Sequence, residues 1–172
     1  MNATRKSQHR LADEIVGRLA RQHSTAVVLF HHVVAERLGL GPTDHKCLDL
    51  LCDRGSMTGS ELCAITGLTS GAITGVVARL ERAGYLHREQ DPNDGRKQIL
   101  SPARNGTHIR DVINPLREDV AASLKKFDSH QLTAIAKFLS CSTELIYRHA
   151  ARLRAHALSV ALGLTERRSA SS

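Results

Sequence analysis

The stretch TGSELCAITGLTSGAITGVVARLERAGYLHREQDPNDGRKQILS, residues 58–101, decides the fold. Thr58 and Glu61 stand at N-cap and N3 spacing, a capping box that satisfies two amide donors at a helix start. Leu62 and Ile65 follow at i, i+3 on one face. Gly67 supplies the stop, because glycine enters the left-handed conformation without a Cβ clash. Leu68 plugs the turn and Thr69 caps a second helix. Ile73, Val76, Val77 and Leu80 repeat at i, i+3, i+4, i+7, so this helix turns one apolar stripe inward, and Gly84 ends it. Tyr85–Gln90 and Lys97–Ser101 read as strands joined across Asp91-Pro92-Asn93-Asp94-Gly95, a run dense in turn formers. The pattern is two short helices and a hairpin.

The outward face of the second helix carries the functional information. Thr69, Ser70, Gly71, Ala72, Thr74 and Gly75 are small or hydroxylic, where a helix made for solvent usually carries Glu and Lys. Short side chains let a helix backbone enter the major groove of duplex DNA. The helix N-terminus offers free amides to a phosphate, and Arg79 and Arg82 follow a turn or two later, at phosphate spacing. Taken alone, these residues also suit an ordinary amphipathic helix in a small bundle. The hairpin tip, with Arg96 and Lys97, shifts the balance: an arginine on a wing can reach the neighbouring minor groove.

The run LTSGAITGVVARLERAGYL followed by DPNDGRKQILS resembles the recognition helix and wing of the MarR family of transcriptional regulators. Its Asp-x-x-Asp-x-Arg pattern is met by Asp91, Asp94 and Arg96. The resemblance covers roughly residues 11–155. It implies that Arg96 enters the minor groove, that Asp94 helps to hold it, and that the groove-reading face falls on Ser70, Gly71, Ala72, Thr74 and Gly75. Gly75 stands where many relatives carry a longer polar or basic side chain.

Working outward, residues 9–38 read as one long helix, with Leu11, Ile15, Leu19, Ala26, Phe30, Val33, Val34 and Leu38 on its stripe. Gly39 and Gly41 end it, and Pro42 opens a short helix whose Asp44 complements the dipole. A brief strand at Ser56-Met57 can join the wing. Ser101 and Pro102 are expected to start another long helix carrying Ile109, Val112, Ile113, Leu116, Val120 and Leu124, kinked at Pro115. Asp128 and Gln131 cap a last helix over roughly 129–157. The expected class is therefore mainly α with a small β-wing: a winged helix-turn-helix core at 42–101, flanked by dimerisation helices at 1–38 and 102–158, with a mobile tail at 159–172. Helices this long, each with a broad apolar face, need a partner. The expectation is a homodimer whose two recognition helices read half-sites about one helical turn apart.

Composition sets the bounds. A net charge of +7 fits a polyanionic partner. Aromatic residues are only 3%, which argues against the stacking platforms of single-strand and RNA binders. No apolar run reaches the ~18 residues of a membrane span, and MNATRKSQHRLADEI lacks the apolar segment of a signal peptide. No membrane partner and a cytoplasmic protein are expected. Cys47, Cys52, Cys63 and Cys141 form no C-x-x-C pair and are expected to be thiols. Phosphate loops, hydrolase metal pairs and nucleophile elbows are missing, so no catalytic residue and no cofactor is assigned.

The family resemblance further implies an effector, a small aromatic or anionic molecule that shifts the recognition helices. His31, His32, His45, His108 and Arg110 are the candidates to line such a cleft, against a reading in which they face solvent. A metal-responsive reading on His31, His32, His45, Cys47 and His108 fares worse, since no two lie at i, i+4 and adjacent histidines point apart on a helix. No metal ligand is assigned. For a thiol-responsive regulator Cys63 is the candidate. The reading is thus a sequence-specific regulator, expected to repress. A metal- or thiol-responsive regulator of the same fold, or a helical dimeric interaction protein without DNA binding, are the alternatives.

Overall fold

The computed structural model describes residues 2–92, 94–95, 97–103 and 107–161, with the backbone alone at 2–4 and 107–108. The elements are helix α1 (Asn2–Glu14), a π-helical turn (Ile15–Leu19), α2 (Ala20–Arg37), α3 (Pro42–Arg54), strand β1 (Met57–Thr58), α4 (Gly59–Thr66), α5 (Ser70–Arg82), β2 (Leu86–Gln90), β3 (Gln98–Pro102), α6 (Thr107–Leu124) and α7 (Ser129–Ala161). This is the expected class, mainly helical with a three-stranded antiparallel wing in the order β1-β3-β2. The chain divides into two compact units, Met1–Pro115 and Leu116–Ser172.

In the first unit the long N-terminal helix starts earlier than its stripe suggested and is interrupted once. At the π-turn the Ala20 amide donates to the Ile15 carbonyl, a five-residue span that shifts the register of the faces on either side. The core lies under the helix-turn-helix. Leu48 and Leu51 of α3, Leu62 of α4, Ile73, Val76, Val77 and Leu80 of α5, and Leu86 and Leu100 of the wing are all buried together. Among the described residues the long helix is buried only at Val34 and Ala35.

The turn chemistry works as its residue types require. Gly67 ends α4 at φ 75° and its amide donates to the Cys63 carbonyl at 2.8 Å. The Thr58 amide donates to Glu61 Oε2 at 2.6 Å, and the Glu61 amide donates to Thr58 Oγ1 at 3.3 Å. Donation from the Thr58 amide, and next from its hydroxyl, holds the Glu61 carboxyl below its usual range. A depressed carboxylate stabilises the fold above its unfolded pKa and loses that contribution as pH falls through the folded value. Thr58→Ala is therefore expected to cost about 1 kcal/mol in urea unfolding at neutral pH. The difference should shrink in acid, where the wild-type carboxylate is protonated; an undiminished difference would show that Glu61 plays no part in the cap.

One expectation about the wing is corrected. Ser101 and Pro102 do not open a helix; they are the last residues of β3, and α6 starts at Thr107. β3 is the central strand, but β1 pairs only with Ile99 and Leu100, so Pro102 meets β2 alone, opposite Leu86. Its missing N–H costs no ladder bond on the side where no strand runs, and the Ala103 amide then donates to the Tyr85 carbonyl at 2.9 Å. The short strand is Met57–Thr58, one residue later than expected.

In the second unit Asp128 and Gln131 cap α7 reciprocally, with 2.8 Å and 2.9 Å bonds. The 33 residues of α7 include none that is buried. Phe138, Leu139, Ile146, Leu153 and Leu158 are all more than half exposed, Leu153 at 71%.

Candidate nucleic-acid interface

α4 and α5 meet at 115°, within the range of a helix-turn-helix. Thr69 caps α5 by accepting from the Ala72 amide at 3.2 Å. Thr69, Ser70, Gly71, Ala72 and Thr74 are all exposed and Gly75 is half-buried, so the small-residue face looks outward. The Thr74 hydroxyl donates to the Ser70 carbonyl at 2.8 Å, which orients it while leaving its oxygen free to accept.

Arg79 does more than a groove-edge cation would. Its Nε and one terminal nitrogen donate to the two carboxylate oxygens of Asp44, both at 2.7 Å. The Asp44 side chain is 6% exposed and that of Arg79 54%. The pair ties α5 to α3, and donation to the Asp44 carboxylate raises the guanidinium pKa above its ordinary value. A Cβ at Gly75 would lie 3.3 Å from the remaining terminal nitrogen, so the missing side chain at 75 leaves room for the Arg79 fork. That link was invisible in the sequence, where Asp44 was read only as a dipole partner. Arg79 is exposed despite this pairing, and Arg82 is exposed one turn further along.

Between α4, α5 and the wing runs an open groove of about 670 Å³, with Ser60, Ser70, Thr74, Arg88, Lys97 and Gln98 among its walls. Arg88 escaped the sequence reading. It lies two residues from buried Leu86 and so shares its face of β2, the period-2 signal that could have found it. Arg88 Nε donates to Glu81 of α5 at 2.9 Å, which locks wing to helix. At the tip, Asp94 pairs with Lys97 at 3.3 Å and accepts the Lys97 amide on its carbonyl at 2.8 Å. Arg96 lies outside the described residues, so its hold by Asp94 remains an expectation from the family.

This arrangement matches known proteins. The model of the MarR family matches residues 38–97, from the end of α2 to the wing. The uncharacterized helix-turn-helix-type transcriptional regulator YcgE of Bacillus subtilis is 38% identical over 153 residues, which cover 88% of this chain and 99% of that one. The chain belongs to the MarR family. Another B. subtilis regulator of that type, YkoM, is 37% identical over 78 residues, 45% of this chain and 51% of its own. Among solved structures, a MarR family protein from Bacillus stearothermophilus superposes with a TM-score of 0.60 at 21% identity, covering 80% of this chain and 96% of that one. The transcriptional regulator Tm0710 from Thermotoga maritima gives 0.56 at 24%, covering 80% and 98%. This MarR family member is a DNA-binding transcriptional regulator and not an enzyme. No single helix among its described residues is long and apolar enough to cross a membrane.

The effector candidates of the regulator do not come together in one place. His31 of α2 and His45 of α3 meet, Nδ1 to Nε2 at 3.0 Å, with Asp49 Oδ2 at 3.7 Å from the same His31 nitrogen. His32 points away to Glu36 on the exposed side, as neighbours on a helix must. Arg110 lies on α6, close enough to Cys52 of α3 to act on its thiol electrostatically. The His108 side chain lies outside the described residues. Burial lowers the pKa of both His31 and His45, with Lys46 adding to it, against Asp49. Of the thiols, Cys63 lines the groove, while burial, then Asp44 and Cys63, push the Cys47 thiol up to about 11.

Proposed function

We propose that the protein acts as a homodimer that binds a pseudo-palindromic operator in duplex DNA and represses the adjoining promoter, with DNA affinity set by a small effector. The observation that carries this reading is the exposed small-residue face of α5 beside a groove walled by Arg88 and Lys97. Thr69, Ser70, Gly71, Ala72, Thr74 and Gly75 lie against base edges, since no long side chain holds the backbone off. The free amides at the start of α5, with Arg79, Arg82 and Lys97, take phosphates. Arg96 at the wing tip enters the minor groove. Exposed Val16, Val28, Leu29 and Val33 on the N-terminal helix and Ile146 and Leu153 on α7 supply the dimer surface. An effector that repositions α2 against α3 changes the spacing of the two heads, and a coupling of about 1–3 kcal/mol would change affinity about 5- to 150-fold.

The test is fluorescence anisotropy with the DNA upstream of the protein's own gene across a salt series. Log affinity should fall with log salt at a slope of about −0.9 per phosphate contact. Arg96→Ala should weaken specific binding by about 1–3 kcal/mol with the circular dichroism spectrum unchanged. A salt-independent affinity would remove the DNA reading, and an unaltered Arg96→Ala affinity would remove the wing from it.

A further inference from the structure

We infer that His31, His45 and Asp49 form a binding site for a divalent first-row transition ion of the zinc class, bridging α2 and α3. The three offer His31 Nδ1, His45 Nε2 and a carboxylate oxygen of Asp49, all within 4.8 Å of one another. In tetrahedral coordination with metal–nitrogen bonds of 2.0–2.1 Å, neighbouring donor atoms stand about 3.3 Å apart. The 3.0 Å and 3.7 Å separations at His31 straddle that value. Two imidazoles and one carboxylate are a donor set that suits zinc and its neighbours.

His45 is 1% exposed, so packing on every side holds its imidazole in place beneath the partly exposed His31 and Asp49. A cation already sits on the carboxylate, because Lys46 Nζ lies 3.0 Å from Asp49 Oδ2. Lys46 is largely exposed and can swing into water when a metal takes its place. His31 and Asp49 are partly exposed, so an ion can enter and water can complete its shell.

The sequence pattern hid this site because only histidines and cysteines were paired, and none falls at i, i+4. His45 and Asp49 do. His31 comes from another helix, fourteen residues earlier. The site also touches the recognition helix through one peptide unit: His45 follows Asp44, the residue that holds Arg79. That coupling to DNA rests on the function proposed above, whereas metal binding does not.

The full chain, stripped with chelator, is titrated with Zn²⁺ against a chromophoric competitor, and separately with Co²⁺ to record its visible spectrum. One ion per chain is expected, with Co²⁺ bands of a nitrogen and oxygen site and no thiolate charge-transfer band. His31→Ala and Asp49→Asn, both at partly exposed positions, should each weaken Zn²⁺ binding at least about 10-fold and lose the rise in melting temperature that Zn²⁺ confers on the wild type. Variants that bind Zn²⁺ as tightly as the wild type, a thiolate band, or a wild type that takes up no Zn²⁺ at micromolar metal would each overturn the site. Metal uptake is read without DNA, so its failure falls on this site alone, and a failed operator titration falls on the DNA reading alone.

Discussion

Ser70→Glu is expected to lower operator affinity by about 100-fold or more while leaving the fold slightly more stable than before. Ser70 is the first residue of α5 and is exposed. A carboxylate there complements the partial positive charge of the helix start, which favours the folded state by about 0.3–1 kcal/mol. The same carboxylate would face phosphate oxygens when α5 enters a groove, and like charges brought together at an interface cost several kcal/mol. Each 1.4 kcal/mol is tenfold in affinity, so the two effects separate cleanly. Thermal unfolding and anisotropy on the same sample read them both. Ser70→Ala controls for the hydroxyl; it keeps the backbone carbonyl that accepts from Thr74. Affinity retained by Ser70→Glu would mean that this face does not meet DNA.

Removal of residues 1–30 is expected to leave a monomer whose specific affinity falls to the non-specific level, about 1,000-fold or more. The truncation takes away α1, the π-turn and the exposed Leu11, Val16, Leu19, Val27, Val28 and Leu29. It spares Val34, Ala35 and the buried cluster under the helix-turn-helix. Burying one such side chain contributes about 1.5–3 kcal/mol, so six exceed the low end of the 4–15 kcal/mol that association costs. Most helical stability comes from tertiary packing, and α7 with no buried residue meets the same need. Light scattering gives the mass, and anisotropy on the intact operator gives the affinity. A truncated monomer that still holds one operator as tightly as the full chain would refute the paired-head reading.

The stretch that begins at Thr58 was legible because its signals are local. A capping box, a glycine stop and a stripe at i, i+3, i+4, i+7 each act within a few residues, and the buried set Ile73, Val76, Val77 and Leu80 is the one its spacing names. Pro102 misled for the opposite reason. Proline suits both the first turn of a helix and the end of a strand, and only the missing neighbour on one side of β3 chose between them.

What the amino-acid order determined unaided is the order of helices and hairpin, the inward stripe of α5 and the small residues opposite it, because period and capping are written in neighbouring positions. Tertiary structure alone decided that Arg79 spans 35 residues to a buried Asp44, that Arg88 clamps the wing to α5, and that His31 meets His45 and Asp49. Each of these contacts joins separate elements, α5 to α3, the wing to α5 and α2 to α3. Their strength depends on burial and on distances of about 3 Å, quantities that exist only once the chain has closed around its core.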